Sequence, residues 1–114
     1  RMELRSPDPA CNPYLAIGLV LAAGLDGIER RMVLQPPVNK NLFRPGEAEG
    51  LGLEMLPATL EEAVAIAEES DFLHKVLPEE LSRRYFAEER ARCEALRAAA
   101  DPAEYERIHY FNAI

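Results

Sequence analysis

From Tyr14 to Leu25 the chain carries no charged or strongly polar residue, and this run constrains the fold most. It is twelve residues long, whereas a helix needs about 20 apolar residues to cross a bilayer. It therefore reads as a buried helix of a globular domain, with no membrane partner. Asn12 is a suitable N-cap and Pro13 suits the first helical position, so the helix is predicted over 13–31. Leu15, Ile17, Leu19, Val20, Leu21 and Leu25 would cover most of its circumference. A helix apolar all round is central, not peripheral. Gly18, Gly24 and Gly27 are poor helix formers. They are expected to permit close packing, with Gly27 fraying the end. Arg30 and Arg31 complement the negative end of the helix dipole.

Residues 32–57 read as a long loop. Pro36-Pro37, Pro45-Gly46 and Gly50-Leu51-Gly52 interrupt any periodicity, and a loop this long is usually functional or packs on a partner. Residues 59–114 read as a series of helices. Thr59 and Glu62 form a capping box for a helix to about Glu69. Ser70-Asp71 can cap a short turn over 72–77, and Pro78 then begins the longest helix, to about Ala100. Leu81, Tyr85, Phe86, Cys93 and Leu96 give that helix its apolar stripe. Asp101-Pro102 with Glu104 starts a last helix. The tail from Ile108 to Ile114 is apolar and aromatic and should dock on something.

The net charge of -7, from 20 acidic and 13 basic residues, argues against nucleic acid as a partner, which needs a basic face. The acidic residues fall mostly within predicted helices, as solvated faces. Cys11 and Cys93 have no metal-ligand spacing and read as reduced thiols of a cytoplasmic protein. Cys11 has no adjacent base, and Cys93 reads as core. His74 and His109 stand singly and read as packing or surface residues. Tyr14, Tyr85 and Tyr110 read as core or interface. Asp8 and Asp26 fit turn and helix-end positions.

The first five residues, Arg1-Met2-Glu3-Leu4-Arg5, alternate charged and apolar side chains. A strand over 1–6 would place Arg1, Glu3 and Arg5 on one face and Met2 and Leu4 on the other. Two readings fit this alternation. A carboxylate between two guanidinium groups can hold a metal-bound, phosphorylated or carboxylate ligand. Alternatively, this is a solvated edge strand with a weak surface ion pair, which the pattern alone favours. No partner strand is evident downstream, so the sheet is expected upstream, in a longer chain of which this is a piece.

The residues after the strand reverse that preference. Arg1 to Leu15 resembles the R-x-E-x-R-x-P-D-P-x-x-N-P-Y-L run of type I glutamine synthetases, and Ala22 to Ile28 resembles their A-G-L-D-G-I helix end. Pro37 to Phe43 is similar to the family's D-K-N-L-Y loop. Leu56 to Ala63 is similar to its L-P-x-S-L-x-E-A segment. The motifs occur in order and cover roughly residues 1–63, with helices of the right kind beyond.

The resemblance implies a fold class that is mainly α: the helical C-terminal segment of an α+β catalytic domain, with one N-terminal strand. It implies an enzyme that joins ammonia to L-glutamate using ATP and two or more Mg²⁺ or Mn²⁺ ions, through γ-glutamyl phosphate. By the resemblance, Glu3 corresponds to a metal ligand, Arg5 to a catalytic residue that binds glutamate, and Arg1 to a residue near the ATP phosphates. It also implies a ring-forming homo-oligomer. Phe43 replaces the Tyr that many bacterial members adenylylate, so that control is expected to be absent at this position. A related γ-glutamyl-amine ligase and a non-catalytic interaction protein are the alternatives. The three intact charges argue against the second. With a single metal ligand, the 114 residues alone are expected to be inactive.

Overall fold

The computed structural model describes residues 3–42, 44, 46 and 50–111. Its regular structure is helical: α1 (Pro13–Glu29), α2 (Leu60–Glu68), α3 (Asp71–Val76), α4 (Glu79–Ala98) and α5 (Pro102–Glu106), which runs on into a π-helical turn, Arg107–Phe111. The chain forms two compact units, Pro13–Leu56 and, separately, Arg1–Asn12 with Pro57–Ile114.

The helix starts reflect local chemistry. Thr59 Oγ1 accepts from the Glu62 N–H at 3.2 Å, and Glu62 Oε2 reaches back to the Ala58 N–H at 2.8 Å. The box expected from the sequence is therefore formed, with its return bond one residue further upstream than usual. Ser70 Oγ accepts from Leu73 N–H at 3.3 Å and opens α3. Asp101 Oδ1 accepts from Glu104 N–H at 3.1 Å and opens α5, with Pro102 in its first turn. Each cap satisfies an N–H that has no partner inside its helix. At α4 the cap position is Pro78, which offers no side-chain acceptor, and Glu79 and Glu80 occupy the first turn.

α1 does not fray at Gly27. It continues to Glu29 and closes with the Met32 N–H on the Gly27 carbonyl (2.9 Å) and the Arg31 N–H on the Ile28 carbonyl (3.1 Å). This pair of bonds is a Schellman closure. It requires a left-handed residue, and that residue is Arg31, at φ 52°. Arg30 pairs with Asp26 one turn earlier.

In the larger unit, α4 packs against α2, α3 and α5. Val64 and Phe86 are its buried hydrophobic residues, and Ser82 and Glu89 are buried beside them. The inward face of α4 is thus Ser82, Phe86, Glu89, Cys93 and Leu96, a 4-3-4-3 spacing, with Cys93 and Leu96 half-buried. The expected stripe is corrected at its start: Leu81 is exposed, and Ser82 takes the inward place. Ser82 is tolerated there because its hydroxyl donates to the Pro78 and Glu79 carbonyls. Glu89 is tolerated because Arg92 donates to it at 2.9 Å. α2 and α4 run antiparallel, and two ion pairs seven residues apart on each helix join them: Glu61 with Arg97, and Glu68 with Arg90.

One expectation of burial fails and another is met only in part. No residue of α1 is buried, and Tyr14 is 88% exposed. The apolar run makes the helix, but burial depends on the surface packed against it. The aromatic tail is covered only in part where described, with Tyr110 half-buried and Phe111 exposed; Asn112 to Ile114 lie outside the described residues.

Candidate functional site

Glu3 and Arg5 are brought together. Arg5 Nε donates to Glu3 Oε1 at 2.6 Å, so the two side chains share a side of the chain, as the alternation requires. Both are open to solvent, at 54% and 86% side-chain exposure respectively. Residues 3–6 have no regular secondary structure; the strand expected over 1–6 is one whose sheet partners are expected upstream. A strand exists only when its N–H and C=O groups pair with a neighbour, and no strand is present among the described residues. Arg1, the third charge of the expected set, and Met2 lie outside the described residues. Downstream, Asp8 turns the chain: its Oδ1 accepts from the Ala10 N–H (2.8 Å) and its carbonyl from the Cys11 N–H (3.0 Å).

Glu3 has the hard oxygen donors that Mg²⁺ or Mn²⁺ takes. It is one carboxylate, however, and such an ion takes about six ligands. No group of three or more His, Cys, Asp or Glu able to hold a metal occurs among the described residues. These residues fit a metal site in kind but do not complete one. Arg5 presents a planar fork of donors suited to a carboxylate or phosphate.

The loop after α1 forms an open cleft of about 440 Å³ between Gln35 to Lys40 and Gly50 to Gly52. Gly50 and Gly52 adopt positive φ there, where a Cβ would be strained. Among the described residues lining the cleft there is one cation, Lys40, and no carboxylate. Phe43 lies outside the described residues.

The remaining titratable groups have structural explanations. Burial pushes the Cys93 thiol up, away from reactivity. Burial, then the nearby Glu89, pushes Tyr85 and Tyr110 up. His74 Nε2 donates to the Glu68 carbonyl at 2.8 Å and ties α3 to the end of α2. His109 stacks on Tyr105 with ring centroids 3.9 Å apart. Both histidines are exposed, in keeping with a packing or surface role. Among the described residues, no helix is long and apolar enough to cross a membrane.

Comparison with known proteins addresses what Glu3 and Arg5 belong to. Residues 1–108 match the family described as glutamine synthetase, catalytic domain. A glutamine synthetase of Methanocaldococcus jannaschii is 43% identical over 101 residues, covering 87% of this chain and 22% of that protein. The Methanosarcina mazei protein of the same name is 39% identical over 109 residues, covering 94% of this chain and 24% of its own. One from Staphylococcus aureus is 34% identical over 112 residues, covering 96% and 25%. The chain thus spans about a quarter of the length of these relatives. No solved structure matches. A family match over nearly all of the chain, with the Glu3–Arg5 pair inside it, places this chain in the glutamine synthetase catalytic-domain family.

Proposed function

We propose that the chain is the C-terminal segment of an ATP-dependent glutamate–ammonia ligase, and that Arg1, Glu3 and Arg5 form one wall of its active site. The observation that carries this reading is the Glu3–Arg5 pair, joined by a hydrogen bond within the family match. In the reaction the γ-carboxylate of L-glutamate takes the terminal phosphoryl group of ATP, giving γ-glutamyl phosphate and ADP. Ammonia then forms a bond to the carbonyl carbon, the C–O bond to phosphate breaks, and glutamine and inorganic phosphate leave after proton loss from nitrogen. Phosphoryl transfer mainly requires positioning and charge neutralisation.

Arg5 suits the first step. Its guanidinium can fork onto the γ-carboxylate and track it as it becomes an acyl phosphate. Glu3 orients that guanidinium and contributes one oxygen ligand to a divalent ion. The ion, when bound, neutralises phosphoryl oxygens. Arg1 lies near the ATP phosphates. The other ligands come from the rest of the synthetase and a neighbouring subunit of its ring, in the cytoplasm. The 114 residues alone are inactive.

The test uses the synthetase that contains this segment. Glu3→Ala should lower glutamine formation at least about 100-fold and raise the metal concentration needed. Arg5→Lys should lower kcat/KM for glutamate about tenfold or more, with a smaller effect on metal dependence, because an ammonium cannot fork. Wild-type kinetics in both variants would remove the pair from the site. Glutamine formation by the isolated chain would overturn its predicted inactivity. Preference for an organic amine over ammonia would make the enzyme a γ-glutamyl-amine ligase.

A further inference from the structure

Residues 3–10 and Asn12 are exposed, and Cys11 between them is half-buried. This segment nevertheless belongs to the same compact unit as α4. Tyr85 of α4 stands one position before the inward Phe86 and is itself half-buried. The two rings meet edge to face, with centroids 6.0 Å apart and planes at 68°. Burial, then Glu89, pushes the Tyr85 phenol up, and Cys11 acts in the same direction. Cys11 therefore lies on the Tyr85 side of α4. A free cysteine behaves as a small hydrophobe, which suits it to an aromatic ring. The link from Cys11 back to Arg5 is short and stiff. The Cys11 N–H donates to the Asp8 carbonyl at 3.0 Å, and the Ala10 N–H donates to Asp8 Oδ1 at 2.8 Å. Pro7 and Pro9 fix φ on either side of Asp8. Displacing Cys11 thus displaces Arg5 and its partner Glu3.

We propose that Tyr85 is a positioning residue for the Glu3–Arg5 pair: its ring seats Cys11, and the turn over residues 8–11 carries that placement to the two charged side chains. The consequence for catalysis rests on the function proposed above; the seat itself does not. The ring, not the hydroxyl, is what covers Cys11. Group transfer is sensitive to such placement, since a misplacement of about 1 Å can cost about 100-fold in rate.

The test uses the whole synthetase that contains this segment. Hydrogen exchange of the peptide spanning residues 3–11, read by mass spectrometry, reports the seat, and kcat/KM for glutamate reports its consequence. Tyr85→Ala should speed that exchange about tenfold while leaving exchange across α2 unchanged, and should lower kcat/KM about tenfold. Tyr85→Phe keeps the ring and should hold both within about twofold. Cys11→Asp leaves α4 intact and should act like Tyr85→Ala, because a carboxylate does not settle against the ring beside Glu89. Combining Cys11→Asp with Tyr85→Ala should cost no more than either alone, since both break one contact. Unchanged exchange over 3–11 in Tyr85→Ala and Cys11→Asp, or additive losses in the double variant, would overturn the seat. Tyr85→Phe as damaging as Tyr85→Ala would overturn the role of the ring. Faster exchange with unchanged kcat/KM would overturn the positioning role. If Tyr85→Ala loses helix content by circular dichroism, Cys11→Asp decides alone. The expected exchange changes in a protein that makes no glutamine would count against the proposed activity and leave the seat standing.

Discussion

Phe86→Ala tests where the core of the helical unit lies. Phe86 is 8% exposed on α4 and, with Val64 of α2, is one of the two buried hydrophobic residues among those described. Truncating a fully buried Phe costs about 3–5 kcal/mol, from lost transfer energy and the cavity left behind. The low end, about 3 kcal/mol, applies here because the α2–α4 contact is shallow and can partly collapse. In a domain of this size each kcal/mol lowers Tm by about 4–8 °C, so a fall of roughly 12 °C or more is expected. Leu81→Ala is the matched comparison. Leu81 fits an apolar stripe when the sequence alone is read, yet it is 41% exposed and one position away from the inward Ser82. Its truncation should cost less than about 1 kcal/mol. Thermal and urea unfolding monitored by far-UV circular dichroism measure both variants. Equal losses, or a larger one for Leu81→Ala, would mean that α4 is rotated by a residue, and the assignment of Ser82 and Glu89 to the seam would fall with it.

Two further expectations concern charge and backbone. The Arg97 hydrogen bond to Glu61 and the Arg90 hydrogen bond to Glu68 hold both carboxyls below the ordinary glutamate range. A carboxyl depressed by folding stabilises the fold above its unfolded value and loses that contribution as pH falls through the folded value. Urea midpoints should therefore drop as the solution is acidified below the ordinary glutamate range. A Glu61→Gln, Glu68→Gln double variant should show a shallower drop, and an identical pH profile would refute the role of these pairs. Arg31 closes α1 at φ 52°, a conformation that costs an L-residue about 1–2 kcal/mol. Glycine removes that strain but adds about 0.5–1 kcal/mol of unfolded-chain entropy. Arg31→Gly should accordingly slow amide exchange at Met32 about two- to fivefold, a net gain under about 1 kcal/mol. Faster exchange would show that the Arg31 side chain holds the turn.

Helix beginnings were legible because their causes span three or four residues. Thr59 with Glu62, Ser70 with Leu73 and Asp101 with Glu104 are contacts that the sequence spells out directly. The pairing of Glu3 with Arg5 was equally local, since alternation along an extended chain puts both on one side. The buried places of Ser82 and Glu89 were not legible. Both are polar, and which side of α4 turns inward is decided by what packs against it; the groups that satisfy them lie within α4 itself, a hydroxyl folded back onto carbonyls and a guanidinium one turn away. The left-handed Arg31 gave no signal either, because glycine is the residue that usually marks such a closure.

By itself, the sequence determined that this chain is helical, where its helices begin, and which family it belongs to. Those properties depend on residue types and spacings within short windows, or on an ordered series of them. The tertiary structure decided which face of α4 turns inward, that Glu61 and Glu68 of α2 meet Arg97 and Arg90, and that no residue of α1 is buried. Burial and pairing between elements depend on the groups standing opposite a residue, and no pattern along one segment specifies that. The apolar run from Tyr14 to Leu25 shows the division: its composition was enough to make a helix, but covering that helix requires a surface the run does not contain.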